Sequence, residues 1–360
     1  MHTDDFDYEL PSGSIAQSPT MPRDNCRMLV LDRHSGVPDH RVFRELPEYL
    51  RPGDVLVVNE TKVLPARLLG NKVGVGADAG AGARAGTGAA TGAAIEVLLL
   101  RERYSDAWEC LVRPGRKLMP GAKVVFGDGA LTGLIVEQTD ESGGRLIQFQ
   151  AHGTTFIEAV HLFGQTPLPP YITRPLENEA DYQTMFAKNE RSAAAPTAGL
   201  HFTPELVSAA EGAGASVVPV ELDIGLDTFR PVGVADPEEH PMHTEHFRVS
   251  EVAAEAINGA RASGGRVIAV GTTSVRAIES AFDDATGLVA ATAGWTNLFI
   301  LPGYSFAVTD AMITNFHMPR STLLMMVSAF AGRKLVLRAY AEAIAEGYRL
   351  LSFGDAMFIY

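Results

Sequence analysis

The sequence predicts an α/β layered domain with a mixed sheet, interrupted by a small inserted antiparallel β-barrel. Three observations lead there. Strand-like apolar runs alternate with helical stretches toward both ends of the chain, the pattern of a sheet covered by helices. Between them, residues 95–150 hold five short strand-like runs separated by Pro-Gly, Gly-Asp-Gly and Ser-Gly-Gly turns, the pattern of a small barrel. Finally, 360 residues that are 46% hydrophobic supply enough apolar surface for a sizeable core, which rules out global disorder.

In chain order, residues 26–33 (CRMLVLDR) and 54–59 (DVLVVN) read as buried strands. A short helical stretch over 43–50 and a Pro52-Gly53 turn lie between them. Residues 74–94 are almost wholly Gly and Ala. They have little to bury and much backbone entropy to lose, so they read as a flexible surface loop. IEVLLLRE, AWECLVR, KVVFG, TGLIVEQ and RLIQFQ are the barrel strands. A helix near 156–163 and the connector Pro167-Leu168-Pro169-Pro170 then lead back to α/β style. Helices are expected over 206–212, 250–263, 273–283, 319–330 and 334–347, and strands over SVVPVEL, RVIAVG and NLFILPG. The expected organisation is a discontinuous α/β domain, 1–69 and 156–360, with a barrel inserted at 70–155.

The formal charge of −13 argues against a general nucleic-acid coat protein and against a membrane-surface binder. Of 30 basic residues 24 are Arg, which suits fixed bidentate anion contacts or simply reflects codon usage. Two cysteines, Cys26 and Cys110, form no C-x-x-C pair, pointing to a reducing compartment. The acidic start of the chain has no signal-peptide pattern, and the longest apolar run, 323–331, is too short to cross a bilayer. A cytoplasmic location without membrane contact is expected.

Four segments stand out chemically. The first, 194–203, surrounds His201 with small residues that allow close ligand approach; Thr197 and Gly199 lie in it, and Thr203 is placed to cap the next helix. The second, 239–246, holds His240, His243, His246 and two glutamates. Its H-x-x-H-x-x-H spacing is not that of a helical zinc site, and Pro241 opposes a helix, so no metal is expected; a substrate-facing loop and a plain polar loop both remain open. The third, 267–276, runs from a buried strand through Gly271-Thr272-Thr273-Ser274 into a helix bearing Arg276. That is where open α/β sheets bind ligands, and the helix-start N–H groups suit a carboxylate or phosphate. The fourth, 314–322, clusters Asn315, His317 and Arg320 at another turn into a helix. The C-terminal Asp355 reads as a buried acid.

Together PTAGLHF, H-x-M-H-x-E, AVGTTSVRAIES, ITNFHMPRSTLLMMVSAFAG and SFGDAM resemble the successive signature blocks of the S-adenosylmethionine:tRNA ribosyltransferase-isomerase family of queuosine biosynthesis. DFDYELP, IAQSP, PRD, NETKVLPARL, WECLVRPGRKLMPG and PLPPYITRP extend that resemblance over nearly the whole chain outside the Gly/Ala segment. It implies that S-adenosylmethionine donates its ribosyl group to the aminomethyl group of a 7-deazaguanine in the tRNA anticodon. Adenine and methionine then leave, and the sugar is remade as the epoxycyclopentane of epoxyqueuosine. S-adenosylmethionine would be a substrate, with no separate cofactor and no obligate protein partner.

Within that implied chemistry, His201 and His243 are acid/base candidates and Glu245 orients or acts as base. Gly271, Thr272, Thr273, Ser274 and Arg276 would hold the methionine carboxylate or ribose, with Thr197, Gly199, Asn315, His317 and Arg320 completing the pocket. Arg113, Arg116 and Lys117, in one Pro-Gly turn of the barrel, are expected to grip tRNA phosphates. Three positions depart from the family pattern: Asp223 replaces an expected histidine, Arg191 an expected glycine and Glu60 an expected aspartate. Two other readings therefore stay open here: a relative using a free amine acceptor, and a binding protein without turnover.

Overall fold

In the computed structural model of the chain, residues 1–73, 92–139, 143–225 and 231–360 are described. The expected loop at 74–94 falls outside the described residues up to 91, and its last residue, Ala94, already opens a strand. In chain order the main strands are β1 (Arg27–Leu31), β2 (Pro38–Val42), β3 (Val55–Asn59), β4 (Arg67–Lys72), β5 (Ala94–Tyr104), β6 (Ala107–Arg113), β7 (Lys123–Phe126), β8 (Leu131–Gln138), β9 (Gly144–Ala151), β10 (Ser216–Leu222), β11 (Glu245–Val249), β12 (Val267–Val270), β13 (Thr292–Thr296), β14 (Ala311–Asn315) and β15 (Ala356–Ile359). The helices are α1 (Phe156–Phe163), α2 (Pro204–Gly212), α3 (Glu251–Ala262), α4 (Thr272–Ser280), α5 (Thr322–Ala331) and α6 (Arg333–Ala345).

The chain divides into two compact units, one of Met1–Lys62 with Pro169–Tyr360 and the other of Val63–Leu168. The first holds a nine-stranded mixed sheet in the order β13-β11-β10-β3-β12-β14-β15-β1-β2. Its centre, β10-β3-β12-β14, is parallel. β15 runs antiparallel to β14 and parallel to β1. β12 is apolar throughout and β3 is apolar up to Asn59, because both faces of these two strands are covered. Val55, Val57, Val267 and Ala269 pack under α3, α4, α5 and α6, while Leu56, Val58, Ile268 and Val270 face the other way against α2 and the 3-10 turn Phe43–Tyr49. Antiparallel β11 and β15 start at the end of the sheet where β10 and β14 stop, as the pairs Leu222↔Phe247 and Asn315↔Ala356 show.

The second unit is a closed six-stranded antiparallel barrel, β4-β5-β6-β9-β8-β7, with β7 returning to β4. It reaches further at both ends than the 70–155 read from sequence. β4 is needed to close the barrel, and Phe156 and Val160 of α1 fill its core. NLFILPG is not a strand among the described residues. It joins no strand ladder: Leu298 O accepts from Arg276 Nε at 3.1 Å, and Leu301 O accepts from the N–H of Tyr304 in a turn. The strands β13 and β14 flank it. The helix expected over 273–283 stops at Ser280, where Phe282–Asp283 turns into a short hairpin.

Helix starts differ in a way that matters below. Thr155, Thr203, Ser250 and Ser321 cap α1, α2, α3 and α5 through their hydroxyls. α4 and α6 begin after Gly271 and Gly332 with no side-chain cap.

Arg145 organises one loop of the barrel from inside. The side chain is buried, and it donates to the carbonyls of Leu118, Gly144 and Gly115. Replacing it with Met strips three carbonyls of their donor, and hydrogen bonds to a charged group contribute roughly 1.5–3 kcal/mol each net of water. Arg145→Met is expected to lower unfolding free energy by about 3 kcal/mol in chemical denaturation; a change under about 0.5 kcal/mol would show that the loop holds itself.

Candidate active site

A cleft opens where the parallel strands end, as ligand sites in open α/β sheets do. Its walls come from segments far apart in sequence: Ala195–Ala198, Ile224 after β10, Gly271–Thr273 after β12, Thr314–His317 at the end of β14, and Leu323 of α5. A second pocket, sharing Thr197, Asn315, His317 and Leu323 with the first, extends to Tyr171, Ser321 and Ser352. The turn Gly271-Thr272-Thr273 is the start of α4. Gly271 has φ +89°, a conformation L side chains rarely adopt, and a Cβ there would lie 3.4 Å from Ala198 Cβ. Without a capping side chain, the first N–H groups of α4 have no partner within the helix. Thr273 Oγ1 lines this cleft, is buried and has no hydrogen-bond partner. Ser274 faces inward, donating to Val270 O at 2.8 Å.

Asn315 is the hub of the opposite wall. Its Oδ1 accepts from Thr197 Oγ1 at 2.8 Å, and its Nδ2 donates to His201 Nε2 at 3.1 Å and to Leu351 O at 3.3 Å. His201 therefore accepts on Nε2 and carries its proton on Nδ1, which lies 3.3 Å from Cys26 Sγ. Burial, reinforced by the charges of Arg23 and Arg349, lowers its pKa to about 3. Expected as an acid/base group, His201 instead sits behind Asn315 as a neutral support. His317 is also neutral. Burial brings it to about 3, and its Nε2 meets Thr314 Oγ1 at 2.8 Å. Gly199 is packed against Thr184, where a Cβ would come within 3.1 Å of Cγ2.

His243 and Glu245, the residues expected to supply acid/base chemistry, are hydrogen-bonded to each other. Glu245 is buried; its Oε1 accepts from His243 Nε2 at 3.0 Å and from the N–H of Gly225 at 2.9 Å, and its Oε2 pairs with Arg276. Burial alone would raise the carboxyl, but Arg276, His243 and the Gly225 N–H outweigh it and hold it below its ordinary value. Gly225 follows Ile224 of the cleft wall, and a methyl group on it would lie 4.0 Å from His243 Cδ2.

Two expected pocket residues, Arg276 and Arg320, lie elsewhere, and Asp355 is the buried acid it was read to be. Arg276 turns from the cleft to Glu245 and to the carbonyls of Leu298 and Thr296. Arg320 is half exposed, 3.7 Å from Asp4 and 3.8 Å from Asp7, so it ties down the N-terminal segment. Asp355 is spent on the backbone N–H groups of Arg27 and Arg349. The histidines of 239–246 do not converge: His240 meets Phe299, His243 meets Glu245 and His246 lies near Asp223. In the barrel, Arg113, Arg116 and Lys117 are exposed around the loop that Arg145 holds, and Lys72 Nζ donates to Lys117 O at 2.7 Å. Sequence reasoning missed Tyr171 and Ser352, whose hydroxyls meet at 2.7 Å in the second pocket; both sit in the PLPPYITRP and SFGDAM blocks.

A mixed sheet with an inserted closed barrel, and a cleft at the strand ends that sets threonines, an asparagine and a histidine among apolar residues, define the class as an α/β protein with a cleft at the end of its parallel strands. The chain belongs to the family described as queuosine biosynthesis protein, which it matches over residues 3–359. It is 52% identical over 359 residues to the S-adenosylmethionine:tRNA ribosyltransferase-isomerase of Symbiobacterium thermophilum, and equally to that of Desulfitobacterium hafniense, with 100% of each chain covered. Among solved structures it resembles the S-adenosylmethionine tRNA ribosyltransferase of Thermotoga maritima, with 35% identity and a TM-score of 0.53 over 99% of this chain and 100% of that one.

The buried histidines make stability pH-dependent in a definite direction. His201 and His317 bind a proton near pH 3 when folded but near 6.5 when unfolded, so the unfolded chain takes up more protons between those values. Their contribution is complete above about pH 6.5 and is lost progressively as pH falls toward about 3. His201→Gln keeps an acceptor for Asn315 without a titrating ring. Its melting temperature is expected to fall less steeply than that of the parent between pH 6.5 and 4.5; identical slopes would mean that His201 is not held neutral.

Proposed function

We propose that the chain transfers and isomerises the ribosyl group of S-adenosylmethionine onto the aminomethyl group of 7-aminomethyl-7-deazaguanine in the tRNA anticodon arm. The products are epoxyqueuosine-tRNA, adenine, methionine and protons. What supports this reading is the uncapped start of α4: unpartnered N–H groups and the unpartnered hydroxyl of Thr273 facing the cleft, in a chain of this family. They suit the α-carboxylate of the donor. Asn315, Thr197 and Tyr171 then offer hydroxyl and amide groups to its ribose.

A sulfonium acidifies the neighbouring 5′ C–H, so the reaction needs a base with a firm orientation. His243 fills that role. Ionised Glu245 accepts from its Nε2 and so orients the ring, and Arg276 holds Glu245 in turn. His201 acts as a positioning residue through Asn315. Arg113, Arg116 and Lys117 bind tRNA phosphates, which concentrates positive charge locally in an acidic protein. The donor is consumed as a substrate, no metal or second cofactor takes part, and the reaction belongs to the cytoplasm.

The deciding assay incubates the protein with S-adenosylmethionine, with and without tRNA bearing the aminomethyl-deazaguanine, and follows adenine. Release that requires the tRNA and survives thorough chelation is expected; release with a small free amine but not with tRNA would overturn the acceptor. His243→Ala is expected to lower kcat by about 10²–10⁴-fold with little change in melting temperature. His201→Gln should stay within about tenfold of the parent, and equal losses in both would remove the distinction between base and support.

Charge reversal in the barrel loop separates the two substrates. Arg116→Glu with Lys117→Glu should weaken tRNA binding and flatten its salt dependence while S-adenosylmethionine binds as before. If tRNA affinity and its salt slope do not move, the loop is only a solvated hairpin.

A further inference from the structure

One surface of the α/β unit is not used by the chemistry above. β13 is the edge strand of the large sheet, and Trp295 on it is 61% exposed. Trp295 pairs in register with His246 of β11, and the two rings meet edge to face at 5.4 Å. His246 Nδ1 lies 3.5 Å from Asp223 Oδ2, and this buried nitrogen makes no hydrogen bond. The carboxylate of Asp223 likewise accepts no hydrogen bond among the described residues. Burial, opposed by Arg191 and aided by Glu221 and Glu245, raises that carboxyl to about 6, as expected of a half-buried acid short of donors. Arg191 beside it is exposed and makes no ion pair among the described residues.

An exposed indole, an acceptor lacking a donor and a loose guanidinium form a set that a planar base with an N–H edge would complete. The indole offers a stacking face, the carboxylate accepts from ring N–H and exocyclic NH₂ groups, and the guanidinium meets a phosphate. Strand alternation puts Asp223, His246 and Trp295 on the outer face, away from Glu245, yet both chain segments here run straight into the cleft. Asp223 is followed by Ile224 of the cleft wall, one Cα step of about 3.8 Å away. Arg191 stands in the segment that continues to Ala195, also in that wall. These two segments connect the set to the cleft wall.

We propose that Trp295, Asp223 and Arg191 form the seat for the acceptor nucleobase of tRNA, a guanine-type ring stacked on Trp295 with its N–H edge toward Asp223 and its flanking phosphate at Arg191. The proposal rests on the tRNA reading above. It also gives a use to Asp223 and Arg191, two of the three positions read from the sequence as departures from the family pattern.

The chain has two tryptophans, so Trp108→Phe leaves Trp295 as the sole indole reporter. Trp108 lies in the barrel, and its Nε1 has no hydrogen-bond partner to lose. An anticodon stem-loop bearing the aminomethyl-deazaguanine is titrated into this variant, with binding followed by anisotropy and Trp295 by emission. Binding should quench Trp295. In the parent background, Trp295→Ala should raise KM for tRNA about tenfold, with recovery in Trp295→Phe and an unchanged Kd for S-adenosylmethionine. Asp223→Asn should erode the preference for a guanine-type base over adenine at that position. Stem-loop binding with no change in Trp295 emission, or a KM within twofold in Trp295→Ala, overturns the seat and leaves ribosyl transfer standing. A native protein that neither binds the stem-loop nor releases adenine with it overturns both.

Discussion

The buried pair of Glu245 and Arg276 is the interaction on which the site depends. Both side chains are almost wholly out of water, and neither would be tolerated there alone. The pair fastens α4 to β11. Through Gly225 it fixes the chain leaving β10, and through the hydrogen bond to His243 it orients that imidazole. Arg276 spends its remaining donors on carbonyls of 296 and 298, so the segment after β13 is held by the same guanidinium. Removing either partner leaves an uncompensated buried charge, so variants at these two positions report on folding before they report on chemistry.

A second constraint is where the scaffold declines to satisfy itself. Four of the six helices receive a hydroxyl cap, while α4, which starts in the cleft, receives none and leaves Thr273 without a partner. Buried donors left without an acceptor cost stability, so this helix start is the place where the scaffold is least satisfied by its own groups. Around them the titrating groups are sorted by environment. His201 and His317 are kept neutral by burial and serve as hydrogen-bonding parts, whereas His243 is kept beside an ionised carboxylate.

Much of this was legible in the residues themselves. The strings VLVVN and VIAV are apolar without alternation, which only a strand covered on both faces requires, and SVVPVEL follows the same logic. The turns that separate the barrel strands are written in Pro and Gly, and the block from Gly271 to Ser274 announces a strand running into a helix. NLFILPG misled because its apolar side chains pack against the core exactly as a strand's would; period and hydrophobicity carry no record of where a carbonyl finds its donor.

Sequence by itself therefore determined the layered α/β class, the inserted barrel and the family, since these follow from local periodicity and motif order. Only the tertiary structure decided which of the candidate residues line the cleft and which are spent on neighbours. It placed His201 behind Asn315, took Arg276 away to Glu245 and Arg320 to the N-terminal aspartates, and brought Tyr171 and Ser352 together in the second pocket. The physical reason is that protonation and availability depend on burial and on partners distant in the chain. A histidine, an arginine or a tyrosine has the same letter whether it is exposed to substrate or spent on a neighbour.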